Sequence, residues 1–310
     1  MVKDAKLIYE EVRKDLPLGS WNTNDDDDSF DRALFLRVMI DHITPELYKQ
    51  SDSCTSKEAA ILDQMVTAFL AQAIQCGSCF EHAASVFVSA LEFKIPESKE
   101  LVRIDGNQAL KPYVRGYRKD NGEPIQEQFG SHAVPIFGRD KSSNLEYIST
   151  WDGITVIDTW GEGQILEYKK GTSPKDVDLV YGFFKPQSAL SLVRVDQNLQ
   201  ADQWKKYAVL LTHIKNYIND HFEKWFETAD GIANKVQKEY WLKYIVKYRN
   251  RFTGELPRIN AIFDAKIEKY KNFGKENNVS LKAGIFKQPD TRAVHATVQQ
   301  RPTTRHCPIM

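Results

Sequence analysis

An excess of charge of one sign is missing from this 310-residue chain: 42 lysines and arginines balance 42 aspartates and glutamates. A balanced total gives no long-range attraction to a polyanion, so nucleic acid is not expected as a partner. Cysteine is scarce as well, with four residues whose spacing makes no disulfide framework. That scarcity fits a reducing compartment. No apolar run approaches the roughly 20 residues that span a bilayer, no N-terminal secretory segment is visible, and no internal repeat recurs. The dense run of aspartates at 25–28 lacks the spacing and the glycine of an EF-hand loop, and reads as a solvated cap. These absences leave a soluble, intracellular globular chain, long enough for a sizeable core and about two domains.

What is present begins with Cys79. The segment Gln75-Cys76-Gly77-Ser78-Cys79-Phe80-Glu81-His82-Ala83-Ala84 reads as a small-residue turn that places a thiol on the first turn of an apolar helix. Unpaired N–H groups at a helix N-terminus favour a thiolate and can bind an oxyanion. Downstream, the alternation of His132, Val134 and Ile136 predicts a strand that carries the imidazole at one end. In the run 154–161, Asp158 shares a face with Ile154 and Val156. On an antiparallel sheet packed against the Cys79 helix, imidazole and carboxylate would meet beside the thiol. Cys79 would then attack a carbonyl, His132 would carry its proton, and Asp158 would orient the ring.

These residues resemble a known superfamily. Cys76-Gly77-Ser78-Cys79 followed by an aromatic is similar to the nucleophile segment of papain-like cysteine proteases, and His132-Ala133-Val134 with Gly138 to their histidine strand. Asp158-Thr159-Trp160-Gly161 resembles their Asn-Ser-Trp-Gly, in which the tryptophan shields the third triad member. Asp in place of Asn, and Glu81-His82-Ala83 after the cysteine, look more like the transglutaminase-like branch and the Cys-His-Asp effector deamidases and proteases of bacterial pathogens. The resemblance covers roughly residues 70–165 and implies a thioester-forming enzyme without cofactor that acts on a protein substrate. It also implies an oxyanion-supporting glutamine, for which Gln72 and Gln75 are both candidates.

Other readings of the same residues compete. Cys76, Cys79 and His82 make C-x2-C-x2-H, but a closed zinc site needs a fourth ligand and only Cys54 lies near in sequence, so no metal is expected. A redox pair lacks a surrounding βαβ pattern. His82 is a second candidate base, ranked below His132 because it would have to reach back along its own helix. The opposing functional class is a non-catalytic, membrane-tethered interaction or scaffold protein with a coincidental triad.

Hydrophobic periodicity predicts an α+β chain. Helices are expected over 30–41, capped by Asp28 or Ser29, over 57–75, and over 79–91 with Ala83, Val86, Phe87 and Ala90 buried. Strands are expected over 101–105, around Tyr113, and over 132–138, 145–150, 154–159, 165–168 and 179–184. Helical spacing returns after about residue 196, where Trp204, Tyr207, Leu211, Ile214 and Ile218 lead an antiparallel bundle of three elements. The expected organisation is a catalytic domain at 1–195, a helical bundle at 196–285 with a possible recognition role, and a flexible tail at 286–310.

That tail is rich in Pro, Gln, Thr and Arg and ends in Cys307-Pro308-Ile309-Met310, which matches a C-a-a-X prenylation signal. A host prenyltransferase is thus an expected partner. A single lipid chain with Arg292, Arg301 and Arg305 nearby would give reversible membrane association. The expected setting is a eukaryotic host cytoplasm, with the chain resembling a pathogen effector.

Overall fold

The first third of the chain is helical because its apolar residues recur at three- and four-residue steps. In α1, Ala5–Asp15, the residues Ala5, Ile8 and Val12 form a thin buried stripe among charged neighbours. The computed structural model describes residues 4–18, 27–50, 54–106, 131–143, 145, 152–160, 163–169, 186–232 and 235–275. Helix α2, Asp27–Gln50, starts before the expected cap, so Ser29 lies inside it and is buried. It also runs past Asp41 and through Pro45, which lacks the N–H that would close one helical bond. The stripe of Val38, Met39, Ile43 and Leu47 continues across the proline and is buried throughout, so packing outweighs the lost bond.

Helix α3, Ser56–Ile74, opens on a capping box in which Thr55 and Glu58 exchange hydrogen bonds. It ends at Gln75, which takes the left-handed conformation at φ 67°. Helix α4, Cys79–Glu92, follows directly, with Cys79 as its first residue. Strands β1, Lys99–Gly106, β2, Ser131–Phe137, β3, Ile154–Asp158, β4, Gln164–Tyr168, and β5, Pro186–Val195, form one antiparallel sheet of order β4-β3-β2-β1-β5. The expected strands at 179–184 and around Tyr113, and the stretch 146–150, lie outside the described residues.

The sheet uses both faces. Leu101, Ala133, Phe137, Ile157, Val193 and Val195 join the main core with the helices, while Val102, Val134, Ile136, Ile154, Val156 and Tyr168 form a second buried cluster. Alternation assigns His132 to the same face as Val134 and Ile136, and Asp158 to that of Ile154 and Val156. Antiparallel pairing of Ile136 with Val156 brings the start of β2 beside the end of β3.

Helices α5, Ala201–His221, α6, Lys235–Phe252, and α7, Leu256–Phe273, supply the three expected helical elements. Helices α5 and α7 pair with each other and also pack on α3, and α6 packs on α2. Trp204, Ile214, Phe263 and Tyr270 therefore belong to the same core as Phe69 and Leu91, and no break in that core falls at residue 195. Met1–Glu276 is one compact unit. The tail at 286–310, with Cys307, lies outside the described residues. No described helix is long and apolar enough to cross a membrane.

One contact between these helices bears on the site. Glu92, the last residue of α4, is buried and accepts from Lys266 Nζ at 2.9 Å, Lys269 Nζ at 2.8 Å and Tyr270 Oη at 2.8 Å, all on one face of α7. Burial pushes its carboxyl up, but Lys266 and Lys269 outweigh burial and hold it at about 2. A depressed carboxylate stabilises the fold fully above its ordinary value of about 4.5 and stops doing so as pH falls through about 2. Lys266→Met should therefore cost about 3 kcal/mol at neutral pH, the scale for removing one partner of a buried pair. Urea unfolding of the two proteins checks it, and the difference should shrink toward about pH 2 as Glu92 takes up its proton.

Candidate active site

The nucleophile segment is a tight helix-to-helix turn. Gly77 is required there because a Cβ on it would lie 2.5 Å from Glu81 Cβ. Glu81, one turn into α4, reaches back so that its Oε2 accepts from Ser78 N–H at 2.7 Å and Ser78 Oγ at 2.6 Å. Arg37 of α2 neutralises the buried Glu81 carboxylate at 2.8 Å and donates to Ser78 Oγ at 2.6 Å. The start of α4 is thus clamped, and Cys79 stands on it half-buried, not enclosed.

His132 and Asp158 meet at the adjoining ends of β2 and β3, with Nε2 of the ring 2.9 Å from Asp158 Oδ2. The other carboxylate oxygen, Oδ1, accepts the Trp160 N–H at 3.0 Å. The Trp160 ring lies over the imidazole with centroids 5.0 Å apart and planes at 51°. Cys79 lies near enough to His132 to be among the groups that raise its imidazole pKa. The structure therefore brings Cys79, His132, Asp158 and Trp160 together.

Electrostatics follow from burial. His132 and Asp158 are 4 % and 5 % exposed. Burial pushes His132 toward its neutral form, but the charge and hydrogen bond of Asp158, and then Cys79, outweigh it and raise the imidazole pKa. An imidazolium beside a sulfur is the arrangement that favours the nucleophilic thiolate. Cys76 has the opposite surroundings. Fully buried, with Sγ 3.9 Å from the Ser29 carbonyl oxygen, its thiol is pushed far up by burial and by the Glu81 charge.

The other sequence candidates have partners of their own. Gln72 donates its amide to Asp15 Oδ2 at 2.8 Å, which commits it to α1. Gln75 is the left-handed cap of α3, and its carbonyl oxygen accepts from Leu18 N–H at 3.2 Å. His82 places its Nδ1 3.1 Å from Thr159 Oγ1. Among the described residues no group of His, Cys, Asp and Glu is arranged to hold a metal.

Three residues of the site escaped sequence inspection: Arg37, Arg13 and Thr159. Arg37 had a signal, a lone cation inside the apolar run from Leu34 to Ile40. Thr159 stood inside a quoted motif, without a role of its own. Arg13, which donates to the Thr159 carbonyl oxygen at 3.1 Å, had none. The geometry suits a nucleophilic thiolate, a base on its far side held by a carboxylate, and a tryptophan that limits water around that pair. No family model matches this chain, no curated protein matches it, and no solved structure matches it.

Proposed function

We propose that the chain is a cysteine enzyme that transfers or hydrolyses an acyl group of a protein substrate, built on a papain-like or transglutaminase-like core. The observation that carries this reading is that His132 is hydrogen bonded to Asp158 and has Cys79 among the groups that raise its imidazole pKa, although the three residues come from a helix start and two different strands. In the first half-reaction the Cys79 thiolate adds to the carbonyl carbon, a C–S bond forms, and the C–N bond to the leaving amine breaks. His132 gives that amine its proton. In the second, water or an amine attacks the thioester, loses a proton to His132, and frees the sulfur as thiolate. Asp158 holds the ring orientation throughout.

Asp at the third position and the Glu81-His82-Ala83 segment favour a glutamine side chain as the acyl donor over a peptide bond. Intact mass of candidate protein substrates after incubation separates the chemistries. A gain of about one dalton is deamidation, a loss of about seventeen on joining an amine is transglutamination, and fragments are proteolysis. A prior check needs no substrate. Iodoacetamide at about pH 6 should label Cys79 well before Cys54 or Cys76, since only the thiolate reacts. Equal labelling would instead favour the scaffold reading.

A further inference from the structure

The triad straddles the sheet, and something must hold its two sides in register. Thr159 follows Asp158 directly, so by strand alternation their side chains leave the backbone on opposite faces. Asp158 turns to His132 on the side of Val156, while Thr159 turns to the side of Ile157, where α4 packs. There its hydroxyl meets His82 Nδ1 at 3.1 Å, one turn along α4 from Cys79. Its carbonyl oxygen accepts from Arg13 of α1 at 3.1 Å. Thr159 and His82 are each 1 % exposed, so water does not compete for this bond. Beyond it Gly163 N–H donates to the Trp160 carbonyl oxygen at 3.0 Å.

We infer that Thr159 is a positioning residue, which ties the nucleophile helix to the carboxylate that orients His132. The inference rests on the enzyme reading above and adds a link to it. The bond passes from the helix that carries the sulfur to the residue peptide-bonded to Asp158, and so links the two halves of the triad without involving the reacting atoms. Loss of the hydroxyl should leave all three triad residues present but let the end of β3 shift against α4. The ring of His132 would then follow Asp158 away from the sulfur.

Thr159→Val keeps the volume and removes the hydroxyl, and Thr159→Ser keeps the hydroxyl. The measurement is the rate of Cys79 alkylation by iodoacetamide at about pH 6 in the full-length protein, read by peptide mass, with Cys54 as internal reference and thermal unfolding in parallel. Thr159→Val should slow Cys79 about tenfold relative to Cys54, the scale of one lost hydrogen bond, and Thr159→Ser should restore it to within about twofold. Arg13→Met, at a half-buried position, should slow it about threefold and serves if the valine variant does not fold. A wild-type rate in Thr159→Val overturns the positioning role, as does equal slowing in the valine and serine variants that tracks only their loss of stability. If Thr159→Val does not fold, a wild-type rate in Arg13→Met overturns it. Should wild-type Cys79 react no faster than Cys54, the enzyme reading falls and the inference with it, whereas a fast wild-type Cys79 with an unchanged Thr159→Val removes the inference alone.

Discussion

Cys79→Ala is expected to lower covalent turnover of a substrate by about ten-thousandfold or more, because no neighbouring group can form the acyl bond in place of the sulfur. Methyl for thiomethyl at a half-buried helix start changes little else, so the fold and its unfolding midpoint should be nearly unchanged. Cys76→Ala is the matched control. That thiol is fully buried and held protonated, so its loss should cost a small cavity, about 1 kcal/mol of stability, and leave most activity in place. Steady-state turnover with both variants, corrected for folded fraction, decides the matter. An inactive Cys76→Ala beside an active Cys79→Ala would assign the nucleophile to the wrong cysteine.

The second large effect is expected at His132. His132→Ala removes both the proton carrier and the cation beside the sulfur, and should fall within about tenfold of Cys79→Ala. Asp158→Ala should retain more, since the ring can still exchange protons when it is less well held, and a loss of about a thousandfold is the expected scale. The pH behaviour has a definite sign. A histidine whose folded pKa is raised stabilises the fold fully below its ordinary value of about 6.5 and stops doing so as pH climbs through the folded value. The stability gap between wild type and His132→Ala should therefore be widest in mildly acidic solution and narrow in alkali. Urea midpoints taken across that range measure it, and a gap that widens with pH would contradict the imidazolium assignment.

How much of this was legible in the sequence depends on how local each signal is. The three triad positions were each marked within a few residues, by small residues before a helix, by period-two alternation, and by a short motif at a strand end. Long-range partners were not. The amide of Gln72 bonds a carboxylate 57 residues away, so a residue chosen by spacing from the thiol proved to be held by α1. Strand β5 was hidden by its own irregularity. Leu101 pairs with Val193 but Val102 with Ser191, and this shift at Leu192 breaks the alternation that would have revealed the strand. Helix α1 showed only Ala5, Ile8 and Val12 among charges, too thin a stripe to distinguish from a polar terminus. The bundle helices were found by periodicity, but a periodic stripe does not say which surface it will cover. Here it covers α2 and α3.

The grip of α7 on the far end of α4 sets an order of events during synthesis. Glu92 and Lys266 are separated by 174 residues, so the ribosome delivers the thiol-bearing helix long before the lysine that neutralises its last carboxylate. Until then α4 ends on a carboxylate at the negative pole of its own dipole, without the two lysines of α7 that pair with it in the fold. A chain interrupted before residue 256 holds every residue of the triad and lacks α7 altogether. A reactive thiol of the kind proposed above is therefore expected only after α7 has been made, and shorter nascent fragments should carry a cysteine that reacts like any other.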